Sequence, residues 1–229
     1  MNQQNPFGRL SKFERILWGV SVAAVALSFL AGNSGDYLTL IASLIGVTAL
    51  IFVARGDVIG QVLTIIFSVF YGIISYHFSY YGEMLTYLGM TAPIAAISVI
   101  TWLKNPYDKA KSEVKVAKMS RSGAAVMFIL SAAVTFIFYF ILRHFGNANL
   151  IPSTISVTTS FLASYLMMMR SPYYALAYAA NDVVLIILWI LATLSSISYL
   201  PMVVCFLMFF INDLYGFFNW RKMMKRQAV

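Results

Sequence analysis

Charge is what this chain has least of. Only 10% of its 229 residues are Asp, Glu, Lys or Arg, against roughly a quarter in a soluble domain. With 61% hydrophobic residues and a mean hydropathy of +0.81, the chain cannot cover itself with polar surface, so a water-soluble globule is excluded. Cysteine is nearly missing. Cys205 stands alone, which excludes an internal disulfide and a Cys/His metal framework and leaves it as a small packing residue. The only histidines, His77 and His144, fall near helix ends far apart in sequence. No metal, cofactor or catalytic constellation is expected. Also absent are the alternating segments of about ten residues that build a membrane β-barrel. Helices are the remaining way to satisfy backbone groups in lipid, and the fold class is all-α integral membrane.

What is there is a series of long apolar runs. At about twenty residues per crossing, eight segments qualify, near 16–31, 37–54, 58–77, 83–103, 124–143, 152–169, 173–193 and 199–220. The first follows Arg9, Lys12 and Arg15 and precedes the small residues AGNSGD, the layout of a signal peptide. An uncleaved helix is preferred because the charge pattern agrees with it. With the N-terminus in the cytoplasm, 15 of the 16 Lys and Arg residues face inside and only Arg143 faces outside. That is the positive-inside rule, and it places both termini in the cytoplasm of a multi-pass inner-membrane protein. The net charge of +8 thus reflects topology; nucleic acid is not an expected partner, and the bilayer is.

Two stretches look alike. Segment 37–54 ends at Arg55-Gly56-Asp57 and segment 152–169 at Arg170-Ser171-Pro172, and each is followed by two further spans. The third spans close with TWLKN (101–105) and NWRKM (219–223), Trp and Lys being common interfacial anchors. The reading is a 3+1+3 parallel repeat preceded by one extra helix. Residues 1–35 hold the N-terminus and additional helix, 36–103 the first repeat, 104–123 a basic linker and 124–148 a linker helix. The second repeat takes 149–220 and a basic tail 221–229. Parallel repeats of this kind are a transporter architecture with substrate near the midplane.

Polar residues fall on matching stripes, since positions three, four and seven apart share a helix face. Gln61, Thr64, Ser68 and Tyr71 form one stripe, and Glu83, Tyr87 and Thr91 a second. Asp182 and Trp189 with Asn181 form a third; Asn212, Tyr215 and Asn219, flanked by Asp213, form a fourth. Bland readings compete: Thr64, Ser68 and Thr91 suit backbone bonding, Tyr71 and Tyr87 packing, and Gln61 and Asn219 helix-to-helix glue. Glu83 reads as a solvated residue at the outer boundary. Asp182 and Asp213 are harder to set aside, because a buried carboxylate needs a partner and no Lys or Arg lies inside a span. That lack disfavours a phosphorylated or other strongly anionic substrate, whose site would normally supply Arg or Lys. Carboxylates, amides, hydroxyls and rings suit a neutral or cationic solute with a flat ring and hydroxyls.

The 3+1+3 plan, the Arg turns, ANDVV (180–184) and NDLYGFFNW (212–220) resemble the PnuC family of bacterial vitamin transporters, from residue 37 to 222. The resemblance implies a full-length relative of SWEET sugar carriers, with nicotinamide riboside moved by facilitated diffusion and trapped by a cytoplasmic kinase, hence a link to NAD biosynthesis. It implies substrate contacts at Asn181 and Asn212. Where the family often carries Trp-x-x-Trp, this chain has Tyr173, Tyr174 and Tyr178, so another B vitamin such as thiamine or riboflavin is the alternative cargo. The candidate substrate-binding set is Asn181, Asp182, Trp189, Asn212, Tyr215, Gln61, Tyr87, Thr91, Tyr71 and Tyr178, supported by Asp213, Asn219, Thr64 and Ser68. An oligomer is compatible with all of this. Two rivals remain. One is an intramembrane aspartyl enzyme, for which the Gly-x-Gly-Asp signature is missing and the two aspartates sit at different depths. The other is a scaffold whose polar residues only glue helices.

Overall fold

The computed structural model describes residues 5–32, 36–107, 113–147 and 149–228. Lys109 and Lys111 of the linker lie outside them. The described residues fold into eight helices long and apolar enough to cross a membrane, with no strand among them. They are α1 (Lys12–Gly32), α2 (Tyr37–Ala54), α3 (Val58–His77), α4 (Tyr81–Lys104), α5 (Arg121–His144), α6 (Leu150–Met168), α7 (Tyr174–Thr193) and α8 (Leu200–Gln227). Short 3₁₀ turns at Pro6–Arg9 and Ile197–Tyr199 precede the first and last of them.

Sequence chemistry explains the boundaries. Asp36 caps α2, accepting from Leu38 N at 3.1 Å, and Asp57 caps α3, accepting from Ile59 N at 3.0 Å; each satisfies a donor the helix leaves open. The α2–α3 turn is tight because Gly56 takes φ +71°, a conformation that glycine adopts freely. The corresponding turn after α6 places Arg170 itself at φ +57°. Within α4, Tyr87–Thr91 forms a π-helical turn. Pro93 follows it and cannot donate to the carbonyl four residues back; the widened turn absorbs the mismatch, and such turns recur at functional sites.

Six helices pack side by side in a closed circuit, α2 on α3, α3 on α4, α4 on α6, α6 on α7, α7 on α8, and α8 back on α2. Helix α1 lies outside, on α2 and α8, and α5 lies outside chiefly on α6. Two buried clusters fill the circuit. One, around Phe67, Tyr71, Tyr87, Trp189 and Phe206, occupies the half remote from the arginine turns. The other, around Val53, Trp102, Met167, Tyr174 and Trp220, fills the half next to them, the basic end.

At the basic end the linker is strapped down. Val114 N donates to Gly56 O at 3.0 Å and Ala117 N to Arg170 O at 2.9 Å, so one stretch of backbone touches both turns. Arg170 returns a bond to Lys115 O at 3.2 Å. The tail of α8 joins in: Gln227 accepts from Val116 N at 2.7 Å and donates to Val114 O at 3.1 Å, and Arg226 pairs with Glu113. These contacts account for α8 running to Gln227, past the boundary at 220 that the sequence suggested for a separate tail.

Candidate functional site

Between the two clusters lies a cavity of about 40 Å³. That is room for a water or two, far below the few hundred Å³ of a ligand pocket. A vitamin-sized guest therefore requires helices to part.

The cavity gathers Gln61 and Thr64 of α3, Tyr87 and Thr91 of α4, Tyr178 and Asp182 of α7, and Asp213 of α8. All seven belong to the candidate or supporting residues singled out in the sequence. The π turn carries both α4 residues. Asp182 and Asp213 line the same cavity, so their depths match, against the expectation that they differ. Tyr178 shares a hydrogen bond of 3.0 Å with the Ser164 hydroxyl. Among the cavity-lining residues, two buried polar atoms have no hydrogen-bond partner: Gln61 Nε2 and Asp182 Oδ2. A buried polar group left unpaired costs about 1–3 kcal/mol, so these two atoms are poised to accept a guest's groups.

The other predicted residues make separate contacts. Trp189 Nε1 donates to the Tyr71 hydroxyl at 2.9 Å, deep in the remote aromatic cluster. Asn181 faces α6, accepting from Thr159 at 2.8 Å and Ser156 at 3.1 Å. The Asn212 stripe does not face the cavity. Asn212 Nδ2 donates to Ser21 of α1 at 3.0 Å, the Tyr215 hydroxyl to Glu14 of α1 at 2.9 Å, and Asn219 Nδ2 to Ala54 O at 2.8 Å. Ser68 donates back to Thr64 O at 2.8 Å. The stripe reading of α8 is therefore corrected by one position: Asp213 points inward and Asn212 points to α1. The cause is α1, which brings Glu14 and Ser21 into the protein interior and needs polar partners there. Glu83 is also corrected. It is fully buried, with its carboxyl against Ser156, because Gly82 lets the first turn of α4 press onto α5 and α6.

Sequence reasoning missed the apolar walls: Gly46, Ala49, Leu50 and Val53 of α2, Met167 of α6, and Phe67 and Phe209. Only Gly46 offered a signal. An added Cβ there would sit 2.3 Å from the Phe209 ring, so only glycine lets these helices approach.

The α1 contacts carry a prediction. Asn212→Ala should lower the thermal unfolding midpoint in detergent through a loss of about 0.5–1.5 kcal/mol, because the bond to Ser21 across a buried interface is lost while Ser21 keeps its own bond to Leu17 O at 2.9 Å. An unchanged midpoint would mean that α1 does not depend on that bond.

A closed circuit of membrane helices around a small polar and aromatic cavity is the build of a membrane transporter. Residues 36–222 match the family described as "Nicotinamide mononucleotide transporter", and the chain belongs to that family. It is 26% identical to the nicotinamide riboside transporter PnuC of Neisseria mucosa over 228 residues, covering 97% of this chain and 86% of that protein. It is 22% identical to the nicotinamide riboside transporter PnuC of Haemophilus influenzae over 192 residues, covering 83% and 82%. The crystal structure of the vitamin B3 transporter PnuC superposes with a TM-score of 0.84 at 25% identity, over 96% of this chain and 95% of that one. The protein is a multi-pass membrane transporter and not an enzyme. The aspartyl-enzyme reading falls with that, although its two carboxyls line one cavity.

Proposed function

We propose that the protein carries nicotinamide riboside by facilitated diffusion, with the guest held at the cavity between two parallel three-helix repeats. The observation that carries this reading is the cavity's inventory: a free amide donor, a carboxyl pair, hydroxyls and aromatic rings, with no Lys, Arg or His in its wall. The family's description names a mononucleotide and the relatives' names a riboside. A phosphate would find no cation here, whereas a pyridinium ring, a carboxamide and ribose hydroxyls each find a partner. Nucleoside therefore fits better than nucleotide.

The repeat reading takes 36–103 and 149–220 as the two units. Its support is the pairing around the circuit: the first helix of each unit packs on the last helix of the other, α2 on α8 and α6 on α4. The basic end is taken as cytoplasmic in a bacterial inner membrane, by the charge rule. A cytoplasmic kinase would then trap the vitamin by adding the phosphate that the cavity cannot pair.

Calorimetry on the purified protein with nicotinamide riboside, its 5′-phosphate and thiamine tests the assignment. The riboside is expected to bind at least about 100-fold more tightly than the phosphate, a difference of about 2.7 kcal/mol. Equal or tighter binding of the phosphate, or of thiamine, would overturn it. Uptake into liposomes should proceed without a proton gradient; strict dependence on one would sink facilitated diffusion.

A further inference from the structure

A second hollow, of about 380 Å³, lies at the end of the circuit remote from the arginine turns. It adjoins a third of about 200 Å³, and the Phe78 and Tyr199 rings, 4.7 Å apart between centroids, stand in both walls. Every helix of the circuit contributes an end or an adjoining residue: Asp36 before α2, His77 of α3, Tyr80 before α4, Asn149 before α6, Ala192 of α7 and Met202 of α8. The hollows therefore form the mouth of the circuit. The larger one has the size of a small-molecule pocket, which the central cavity of about 40 Å³ has not. A floor of rings separates the two spaces. Trp189 meets Phe78 at 5.2 Å and Tyr80 at 5.4 Å, and the Tyr80 hydroxyl ties that floor down by donating to Leu188 O at 3.0 Å. Backbone geometry marks the same place independently. Of the three non-glycine residues with positive φ among the described ones, Ser79 at +58° and Asn149 at +54° line this mouth. Costly backbone of that kind gathers where a chain clamps a ligand.

We propose that this mouth is a separate docking site, where a phosphate-free nucleoside with a flat ring rests before the floor parts. The inference rests on the riboside reading and adds a second binding place on the route. Phe78 and Tyr199 offer faces to the ring. The Ser79 and Ser195 hydroxyls and the Asn149 amide, all on exposed residues of the wall, match ribose hydroxyls or a carboxamide. Asp36 is the one acidic side chain in either wall, and no ion pair reaches it among the described residues, so a cationic ring is favoured. A phosphate would find no Lys or Arg there. Because the rim is wet, each bond is exchanged against water and is worth little net. The docking site is thus the weaker of the two.

Cys205 is the chain's single cysteine and is fully buried, so a cysteine placed on the rim is the one thiol that a hydrophilic maleimide reaches. Labelling of full-length Ser195→Cys in detergent is timed against increasing nicotinamide riboside. His144→Cys, exposed but outside the hollow, is the control. The riboside is expected to slow labelling of Ser195→Cys by about fivefold or more and to leave His144→Cys unchanged. Adding Gln61→Leu, which weakens the central cavity, should keep the half-protecting concentration within about twofold, whereas adding Tyr199→Ala should raise it by about threefold or more. A half-protecting concentration that climbs with Gln61→Leu would mean that the rim only reports on the central cavity, and would overturn the inference. An unchanged value in Tyr199→Ala, or equal slowing at His144→Cys, would overturn it as well. Ala192→Cys, on the same wall, takes the same test if Ser195→Cys does not fold. Calorimetric binding by wild type without protection of the rim removes the docking site alone; absence of both sinks the riboside reading with it.

Discussion

Gln61→Leu is expected to make the ligand-free protein more stable and the transporter worse. Gln61 Nε2 is buried without a partner, and replacing such a group with an apolar one of similar size removes a cost of about 1–3 kcal/mol. The thermal unfolding midpoint in detergent should therefore rise. Affinity for nicotinamide riboside should fall by about 10–100-fold, because the guest's carboxamide or hydroxyls lose a partner in a site without water. The opposed signs are what make the experiment informative. A residue that only held helices together would lose stability and leave affinity alone. Unchanged affinity would remove Gln61 from the site.

Trp189→Ala should have the largest effect on stability. The indole is fully buried, donates to Tyr71 at 2.9 Å, and meets the Phe78 and Tyr80 rings edge-on at 5.2 and 5.4 Å between centroids. Truncating a tryptophan so packed costs about 3–5 kcal/mol. The expected result is a sharp drop in the unfolding midpoint, with Trp189→Phe recovering most of it and losing chiefly the Tyr71 bond. The sequence alone suggested that Trp189 touches the guest. Its position in the remote cluster makes it part of the seal that closes that side, so affinity should suffer less than stability. Full stability in Trp189→Ala would show that the seal is redundant.

Much of this was legible in the sequence because lipid constrains so strongly. Apolar run length set the eight spans, and most boundaries fall within a few residues of the observed ones. Helix periodicity put Gln61, Thr64, Tyr87 and Thr91 on faces that meet at one cavity, since those faces are polar against an otherwise uniform background. It failed on α8, where Asn212 and Asp213 are adjacent and their directions differ by about 100°. Periodicity says which residues share a face but not which neighbour that face meets. That answer depended on α1, whose Glu14 and Ser21 claimed Tyr215 and Asn212. Glu83 was misplaced for a similar reason: nearness to a span's end reads as exposure until a neighbouring helix covers it. Leu50, Val53 and Met167 carried no signal at all, because a cavity wall and a lipid-facing surface use the same side chains.

The strapped linker bears on how the carrier could be tuned. Its bonds to Gly56, Arg170 and Gln227 are made largely through peptide groups and lie outside the cavity wall. If the two turns part as the basic end opens, one set of those bonds must break or the strap must travel with one turn. That toll is identical for every passenger, since none of its atoms touches the hollow. Which guest is chosen and how readily the door at the basic end swings are thus written in different parts of the chain, and one can change without the other.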